Sequence, residues 1–350
     1  MICIKQQLGI NKYRKFFCVA LVLIVLLPVG CIDEDLSDCV GVYPGCGCDT
    51  EYTIDYNMEL ALSLNLMLDD SLTTSREQEL AAVLRNDLQD ILSNRARSLD
   101  LSFFATPEGE LAEQQHLDTD TNRLTLSLSL PSMVYEHIAV AATAREESVK
   151  LTGTTAHHDL CLRHSGGDTL DCHRSAFYSG TAHLDVNGEK NSFYVPLYMQ
   201  NAVAILVIDP TGSPAEVKDT YLRGSACGFA CADSTFLFDS ENVIRHHRSE
   251  GGGLIAYHAV CFPSRDEPLV RAAEQGSASL WEMDVYTQLP DGSYVKNTLS
   301  MRTPLEAGCM RIIKVSLDKN GEIVNNKANA DVGVSVTLDW KPGGDYDIEM

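Results

Sequence analysis

Apolar and polar residues alternate in several segments beyond residue 50, and a period of two is typical of half-buried β-strands. The first segment is Tyr52–Met67, in which leucines at every second position alternate with polar or small residues. The alternation returns in Leu99–Phe103 and Leu124–Leu130, on either side of a turn at Pro107–Glu110. We therefore predict strands in these three segments.

The segment Thr73–Arg97 has a different period. Its apolar residues recur three and four positions apart, at Leu80, Val83, Leu84, Leu88, Ile91 and Leu92. Ser75 and Gln78 have the spacing of a capping box, in which two residues satisfy backbone N–H groups at a helix start. The pattern predicts one amphipathic helix over residues 75–97, which covers an edge or end of a sheet.

The clearest hairpin signal lies near the middle of the chain. Thr181–Val186 runs into Asn187-Gly188, residues that readily adopt the positive φ angles of a two-residue hairpin turn. Ser192–Leu197 leads back, and the strongly apolar Ala202–Ile208 follows. These segments predict two paired strands and one further strand.

Further strands are predicted after residue 230, where short apolar or alternating segments are separated by turn signals. They are Thr235–Phe238, Leu254–Phe262, Ala278–Gln288, Ser293–Leu299, Arg311–Leu317 and Gly333–Trp340. Many short strands with one early helix predict an all-β fold. We expect two tandem immunoglobulin-like β-sandwich domains, one over residues 51–200, which includes the helix, and one over residues 201–350.

Residues 1–30 have the order of an export signal. Four basic residues precede an uninterrupted apolar run from Phe16 to Val29 and the small residue Gly30. Cys31 follows directly, so we predict a lipoprotein signal peptide, with cleavage before Cys31 and acylation of its thiol. An ordinary secretory signal or an N-terminal membrane helix is the alternative, although the run is short for a membrane span.

Residues 31–50 predict an acidic, cysteine-rich tether. Asp33, Glu34, Asp35 and Asp38 closely follow Cys31, and the segment has no hydrophobic periodicity. An acidic stretch after a lipidated cysteine resembles the surface-export signal of Bacteroidales lipoproteins. This resemblance implies the outer face of the outer membrane, and a solvated, disordered linker is the alternative.

The charge balance excludes one large class of partner. The chain has 27 basic and 49 acidic residues, and the signal contains four of the basic and none of the acidic ones. The mature chain therefore has 23 against 49, a net charge of −26. Such a surface repels nucleic acid and anionic lipid. No apolar stretch after residue 30 reaches membrane-spanning length, so the lipid on Cys31 is the predicted anchor.

The chain contains twelve cysteines, of which two leave with the signal and Cys31 is acylated, so nine remain. Nine cysteines in an exported protein permit up to four disulfides. The predicted bridges join close neighbours in sequence: Cys161 with Cys172, Cys227 with Cys231, and Cys39 with either Cys46 or Cys48.

Residues 157–174, HHDLCLRHSGGDTLDCHR, contain six residues of types that bind zinc. They are His157, His158, Cys161, His164, Cys172 and His173. Their spacing matches no zinc motif, and in an oxidising compartment the two cysteines would close a disulfide loop. We therefore predict no metal and no other cofactor, and interpret residues 146–174 as a long loop or a distorted hairpin. His246 and His247 also lie in a segment of loop composition, where we expect them to be solvated.

No sequence motif predicts catalysis. The chain lacks the P-loop, G-x-G-x-x-G, H-E-x-x-H and calcium-loop patterns. Ser225 in SACGFAC lacks the strand-turn-helix setting of a nucleophile elbow. We expect a protein that is not an enzyme.

Six segments spread over nearly the whole mature chain form a more specific pattern. In order they are CIDEDLSDC (31–39), IDYNM (54–58), DLSFF (100–104), LPSMVYEHIAVA (130–141), AFYSGTAHLDVNGEKNSFYVPLYMQNAVAILV (176–207) and LDWKPGGDYDIEM (338–350). In this order and at these separations they resemble the fimbrial anchor lipoproteins of Bacteroidales, the minor-fimbrium anchoring subunit family.

The resemblance implies two transthyretin-like β-sandwich domains in a lipidated protein at the base of a fimbrium. Such a protein holds the fibre on the outer membrane and influences its length. The implied partners are fimbrial shaft or accessory subunits, joined by β-strand addition, in which one chain completes the sheet of another through main-chain hydrogen bonds. The last strand, Gly333–Trp340, is the implied open edge.

Two functions are therefore expected. The first is a structural outer-membrane lipoprotein that attaches a fimbrium to the cell surface and serves cell adhesion. The second is a surface glycan-binding lipoprotein, for which Trp281 and Trp340 are the available aromatic platforms. Both tryptophans lie in alternating strands, so a position in the core or at a domain interface is the alternative for each.

Overall fold

The computed structural model describes residues 49–59, 64–144, 148–167, 169–186, 192–269, 279–325 and 335–341. The predicted signal, the lipidation site Cys31 and the tether up to residue 48 lie outside the described residues. Within the described ranges the chain is nearly all β-strand with two short helices near its start. The prediction of an all-β chain of sandwich type with an early helix is confirmed. The boundary at residue 200 stays a prediction.

The helices are α1 (Leu64–Ser71) and α2 (Ser75–Leu88), and a 3₁₀ helix spans His157–Asp159. The strands in chain order are β1 (Asp49–Glu59), β2 (Ala96–Ala105), β3 (Leu111–Thr121), β4 (Arg123–Pro131), β5 (Val134–Ala142), β6 (Val149–Thr152), β7 (Cys161–His164), β8 (Thr169–Asp171), β9 (Phe177–Asp185), β10 (Ser192–Met199), β11 (Ala202–Asp209), β12 (Glu216–Arg223), β13 (Gly228–Ala230), β14 (Thr235–Leu237), β15 (Val243–Arg245), β16 (His247–Gly251), β17 (Leu254–Cys261), β18 (Trp281–Gln288), β19 (Tyr294–Met301), β20 (Met310–Leu317), β21 (Ile323–Asn325) and β22 (Ser335–Lys341).

These strands form four sheets. The seven-stranded sheet has the order β3-β2-β5-β9-β10-β1-β4, and the five-stranded sheet has the order β16-β17-β11-β20-β21. The six-stranded sheet has the order β22-β19-β18-β12-β15-β8, and the four-stranded sheet has the order β14-β13-β7-β6. The pairs β1 with β10, β11 with β20 and β15 with β8 are parallel.

The inner face of the seven-stranded sheet folds around one core. Alternate residues of its strands point inward, such as Tyr52, Ile54 and Tyr56 of β1, which are almost completely buried. The strands at the two ends of the sheet contribute to the same core, through Leu117 of β3 and Leu126 of β4. A sheet that curls in this way buries its apolar face without a second sheet.

Strand β11 lies at the centre of the second half and has both faces covered. Its sequence AVAILVID is apolar at successive positions, as expected for a strand that is buried on both faces. Positions 204, 206 and 208 belong to the core between the five-stranded and six-stranded sheets. Positions 203, 205 and 207 belong to a second core beneath the two helices. The second half is therefore a two-sheet sandwich with a helical cover, which we call the C-terminal sandwich.

Helix α2 covers the five-stranded sheet, although it precedes that sheet by more than a hundred residues. Leu80, Leu84 and Leu88 form its buried face. Its first turn lies on the β16–β17 turn, where a Cβ atom on Gly252 would lie 2.1 Å from the carbonyl oxygen of Arg76. Gly252 also has a φ angle of +61°, so both the close approach and the backbone conformation require glycine.

The start and end of this helix differ from the prediction. Thr74 is the N-cap, because its side chain accepts a hydrogen bond from the Glu77 N–H and the Glu77 carboxylate accepts one from the Thr74 N–H at 2.8 Å. The predicted box of Ser75 and Gln78 is wrong by one position, since two overlapping segments have capping-box spacing. The helix ends at Leu88 rather than at residue 97, and residues 96–105 already form β2.

The predicted strand Tyr52–Met67 is present up to Glu59 and is wrong from Leu64 onward, where the chain forms α1. Leu68 and Leu72 are fully buried. These leucines are four residues apart, the spacing of one helix face, while alternate leucines in the same run have the spacing of a strand. Alternation alone therefore did not distinguish the two structures.

The predicted hairpin consists of β9 and β10, which pair antiparallel with Tyr198 opposite Ser179. Its turn at residues 187–188 lies outside the described residues. The six later strands are present with bounds shifted by a few residues. The sequence analysis missed β12, in which a bulge between Val217 and Asp219 breaks the alternation. The segment before residue 174 contains β6 and β7 as an antiparallel pair, in agreement with a distorted hairpin.

Candidate functional site

Strand β22 forms one end of the six-stranded sheet. It pairs antiparallel with β19, from Ser335 opposite Ser300 to Lys341 opposite Tyr294. In the part of the chain that the structure describes, no strand pairs with its other side. The outward N–H and C=O groups of such an edge are a template for another strand. The segment that the family resemblance implied as an open edge is therefore an edge strand.

A buried charge network fixes the strands next to this edge. The Asp284 carboxylate of β18 is fully buried and accepts hydrogen bonds from Arg223 Nε at 2.9 Å and Thr298 Oγ1 at 2.7 Å. Lys296 Nζ on β19 lies 3.1 Å away. Burial alone would raise the pKa of Asp284, but the two cations and the hydroxyl lower it, so the carboxylate is ionised at neutral pH. The network links β12, β18 and β19, and so stabilises the strand β19 with which β22 pairs.

Trp281 lies in the core of the C-terminal sandwich. Its side chain is fully buried, and its indole N–H donates to the Thr303 carbonyl oxygen at 2.8 Å. The expectation of a glycan platform at Trp281 is wrong, because stacking on a sugar requires an exposed ring. The alternating pattern around Trp281 was compatible with a core position, and this is the position found. The side chain of Trp340 is not among those described.

Among the side chains that the structure describes, the exposed aromatic ones lie on the seven-stranded sheet. Tyr194 and Tyr198 of β10 are 53% and 56% exposed. The Tyr194 hydroxyl donates to Glu59 Oε1 at 2.9 Å, and Asn57 Nδ2 donates to the Tyr194 hydroxyl at 3.3 Å. We call these four residues the tyrosine face. It combines aromatic rings with amide and carboxylate groups, and the alternation of SFYVPLYM could have identified its two tyrosines.

A cavity of about 540 Å³ lies beside the five-stranded sheet, and we call it the histidine cavity. Its lining includes Asp87, Cys172, Arg245, His246, His247 and His258. Both ring nitrogens of His246 and the Nδ1 of His258 have no hydrogen-bond partner among the described residues. Burial lowers the pKa of each of these two histidines to about 4. The expectation of solvated side chains is therefore wrong for His246, which is 8% exposed, whereas His247 is exposed.

The six residues of zinc-binding type in the 157–174 segment do not gather at one point. His164 and His173 are in contact, with their Nε2 atoms 2.9 Å apart, while His157 and His158 lie in the 3₁₀ helix. Asn201 Nδ2 donates to His173 Nδ1 at 2.7 Å, so the His173 proton lies on Nε2 and is donated to His164. Burial, and then His164, lower the pKa of His173 well below its usual value.

No group of three or more His, Cys, Asp or Glu side chains within the described ranges is placed to hold a metal ion. The six cysteines in these ranges, Cys161, Cys172, Cys227, Cys231, Cys261 and Cys309, are not joined in disulfides in the structure. The predicted bridges of Cys161 with Cys172 and of Cys227 with Cys231 therefore stay predictions. Cys31, Cys39, Cys46 and Cys48 lie outside the described residues.

Cys161 and Cys227 each contact residues other than their predicted partners. Cys161 Sγ lies 3.2 Å from Thr152 Oγ1, and the Cys227 thiol donates to Asp239 Oδ1 at 2.6 Å. Burial raises the pKa of Cys231 to about 12, and the neighbouring Cys161 adds to this effect. Cys161 thus has as a neighbour Cys231, which directly follows the adjacent strand β13.

The fold of the chain is similar to that of several solved structures from Bacteroidales. The chain is similar to the fimbrial anchor protein of Porphyromonas gingivalis, with 9% identity, coverage of 77% of this chain and 91% of that chain, and a TM-score of 0.43. The fimbrial anchor family that the sequence resembles is among the structural neighbours. No protein-family model matches the sequence, and no curated protein does.

Two further neighbours carry other names. A candidate adhesin from Bacteroides ovatus has 10% identity, coverage of 85% of this chain and 97% of that chain, and a TM-score of 0.49. A candidate polysaccharide-binding protein from Bacteroides thetaiotaomicron has 11% identity, coverage of 79% and 98%, and a TM-score of 0.47. Identities near a tenth with TM-scores below 0.5 do not by themselves assign a function.

Proposed function

We propose that this protein is a non-catalytic, cell-surface component of a fimbrium, anchored in the outer membrane by a lipid on Cys31. The observation that carries the proposal is the edge strand β22, whose outer side has no strand partner in the described part of the chain. The lipoprotein signal, the acidic tether and the resemblance to fimbrial anchor lipoproteins support it. None of the helices in the described ranges is long and apolar enough to cross a membrane, so the lipid supplies the attachment in this proposal.

Fibre subunits join the anchor by strand addition at β22. The strand has seven residues, and every second residue directs its N–H and C=O groups away from β19. An added strand satisfies these groups and extends the six-stranded sheet. Because one end of the chain is held in the membrane, a subunit bound at β22 is the first of the fibre. The number of anchors then influences how many fibres grow and how long they become.

Proline substitutions test the edge. Successive residues of a strand point their N–H groups to opposite sides, so Thr337→Pro and Leu338→Pro remove one N–H that faces β19 and one that faces outward. We expect the variant that loses the N–H facing β19 to lose roughly 1–3 kcal/mol of stability, because a ladder hydrogen bond is removed and its acceptor is left without a partner. The variant that loses the outward N–H should keep its thermal unfolding temperature. It should no longer retain fibre subunits when purified from outer membranes, because the added strand loses a hydrogen-bond donor.

The matched controls are Thr337→Ala and Leu338→Ala, which keep the backbone N–H groups. They should recover fibre subunits as the unchanged protein does. Assembly at β22 would be contradicted if both proline variants recovered fibre subunits normally and at least one of them had normal stability.

A second experiment tests the lipid anchor. We expect the Cys31→Ser protein to be absent from the outer-membrane fraction and its fimbriae to be shed into the medium, because the acyl chains have no attachment site. Cys309→Ser is the control, since it changes a cysteine in the folded region and leaves the signal intact. Membrane retention of the Cys31→Ser protein would refute lipid anchoring at this residue.

Glycan binding is the second candidate function, and the tyrosine face is the observation that favours it. Two half-exposed rings lie on one strand beside the amide of Asn57 and the carboxylate of Glu59, a set of groups that suits sugar rings and hydroxyls. We expect Tyr194→Ala combined with Tyr198→Ala to abolish retention on immobilised polysaccharide if this function is correct. His183→Ala, which changes an exposed residue of the neighbouring strand β9, is the control. Equal retention of all three proteins would exclude the tyrosine face as a glycan site.

A further inference from the structure

Two cysteines that are far apart in sequence come together at the edge of the C-terminal sandwich. Cys261 is the last residue of β17 in the five-stranded sheet, and Cys172 directly follows β8 at the end of the six-stranded sheet. Cys261 is completely buried in the core between these sheets. Cys172 is partly buried and packs against the same core. Both thiols therefore meet one set of apolar side chains.

A backbone hydrogen bond limits the distance between the two residues. The His173 N–H donates to the Val260 carbonyl oxygen at 2.8 Å. Cys172 directly precedes the donor residue and Cys261 directly follows the acceptor residue. Standard bond lengths then place the two Cα atoms at most about 8 Å apart at full extension, and any bend shortens this distance. Disulfides commonly join Cα atoms roughly 4.4 to 6.8 Å apart, so little or no backbone movement is needed.

The electrostatics of Cys261 also indicate that the sulfur atoms are close. Burial raises the pKa of the Cys261 thiol, and the neighbouring Cys172 raises it further. A thiol in this state reacts poorly with reagents in solution. Cys172, in contrast, lines the histidine cavity, so a small reagent that enters the cavity meets its sulfur first.

We propose that Cys172 and Cys261 are a disulfide-forming pair that joins the two sheets of the C-terminal sandwich. The oxidant is a disulfide R–S–S–R, such as oxidised glutathione. The Cys172 thiolate attacks one sulfur of the oxidant, the S–S bond breaks, and the first R–S⁻ leaves and takes up the proton from Cys172. Cys261 then loses its proton and attacks Cys172 Sγ, which releases the second R–SH. Two protein thiols are oxidised and one R–S–S–R is reduced to two R–SH.

This pairing differs from the bridge between Cys161 and Cys172 that sequence proximity suggested. Cys161 belongs to the four-stranded sheet, where its neighbours are Thr152 and Cys231. The proposed bridge would close a loop of about 90 residues instead of about a dozen, and a longer loop loses more conformational freedom in the unfolded chain. The bridge would also tie β8, the terminal strand of its sheet, to the opposite sheet.

Tryptic peptide mapping tests the pairing, because the arginines of this chain separate the cysteines concerned. Cys161, Cys172 and Cys261 fall in peptides 151–163, 164–174 and 249–265, while Cys227 and Cys231 share peptide 224–245. The full-length folded protein is treated with oxidised glutathione and then unfolded in denaturant, where N-ethylmaleimide blocks all remaining thiols, and the digest is analysed without reduction. We expect peptide 164–174 linked to peptide 249–265, and loss of this species with dithiothreitol.

Two variants control the experiment. Cys172→Ser changes the partly buried partner and should abolish the linked species, whereas Cys161→Ser should leave it unchanged. The oxidised protein should also unfold at a temperature about 5 °C or more above that of the reduced protein, and Cys172→Ser should diminish this difference. A link between peptides 151–163 and 164–174, or separate modification of Cys172 and Cys261 by N-ethylmaleimide after oxidation, would overturn the proposal.

Discussion

The core of the seven-stranded sheet and the histidine cavity of the C-terminal sandwich both bury histidine, but in different surroundings. In the first core, His137 Nε2 is 3.0 Å from the Tyr56 hydroxyl, and its Nδ1 is 3.0 Å from the Ser102 carbonyl oxygen. Its ring also stacks on Phe103. At the cavity, neither ring nitrogen of His246 has a hydrogen-bond partner among the described residues, and Nδ1 of His258 has none.

This difference separates a structural polar residue from residues that are available for binding. Burial lowers the pKa of His137, His246 and His258 alike to about 4, so all three are neutral at pH 7. Charge therefore does not distinguish the two regions, and hydrogen bonding does. A buried polar atom without a partner is costly in a closed core but tolerable beside a cavity that admits water. The His137 imidazole uses both of its ring nitrogens in hydrogen bonds, whereas the histidines at the cavity retain unused donors and acceptors.

The largest effect that tests this comparison is the response to acid. The folded-state pKa values of these histidines lie below the unfolded value of about 6.5, so the unfolded chain takes up protons first as the pH falls. Their stabilising contribution is complete above pH 6.5 and is lost as the pH falls towards 4. We expect the free energy of unfolding to fall by roughly 1 kcal/mol per pH unit for each histidine in that range, measured by urea unfolding between pH 7.5 and 4.5.

Single variants assign this acid response to the two regions. His246→Leu and His137→Leu should each make the pH dependence of the free energy of unfolding shallower by the contribution of one histidine, because leucine does not titrate. A pH dependence that is unchanged in both variants would contradict the lowered pKa values.

A second, smaller effect is expected from His137→Leu at pH 7.5. The change removes the partner of the buried Tyr56 hydroxyl and replaces a ring stacked on Phe103, so we expect a loss of about 2–4 kcal/mol in the free energy of unfolding. Urea unfolding measures it, and His183→Ala on the surface of the same sheet should cost less than about 0.5 kcal/mol. A loss from His137→Leu as small as that of the control would remove the distinction between a buried histidine with both ring nitrogens hydrogen-bonded and one without partners.

A third effect concerns the helix beside the cavity. Thr74 and Glu77 cap α2, and Glu77 also binds Lys314 Nζ of β20 at 2.5 Å, which ties the helix start to the five-stranded sheet. We expect Thr74→Ala to cost about 1 kcal/mol, while Thr73→Ala should be nearly neutral. Hydrogen exchange should locate the change in α2 and β16, with the first core unaffected. Equal loosening of the seven-stranded sheet would show that the two regions do not respond separately.

Local signals predicted much of the fold, and contacts between distant segments account for what was missed. The alternation in β4, the hairpin of β9 and β10 and the apolar run of β11 each depend on residues close in sequence. The leucines of this stretch of sequence fit two periods, so only packing against the five-stranded sheet selected a helix from Leu64 onward. For the candidate sites, alternation predicts that Tyr194 and Tyr198 lie on one outward face. No local pattern predicts that Cys172 lies near Cys261, or that His246 and Asp87 line the same cavity, because these residues are far apart in sequence.

The smallest expected effect is that of His246→Leu at pH 7.5. The His246→Leu change removes no hydrogen bond to the described residues, because neither ring nitrogen of His246 has a partner among them. Leucine has a comparable volume and buries no polar atoms. We expect the free energy of unfolding to change by less than about 1 kcal/mol, against about 2–4 kcal/mol for the same substitution at His137. Urea unfolding of the two variants side by side makes the test. A loss at His246 equal to that at His137 would mean that this imidazole is already held by its surroundings and is not available to a ligand.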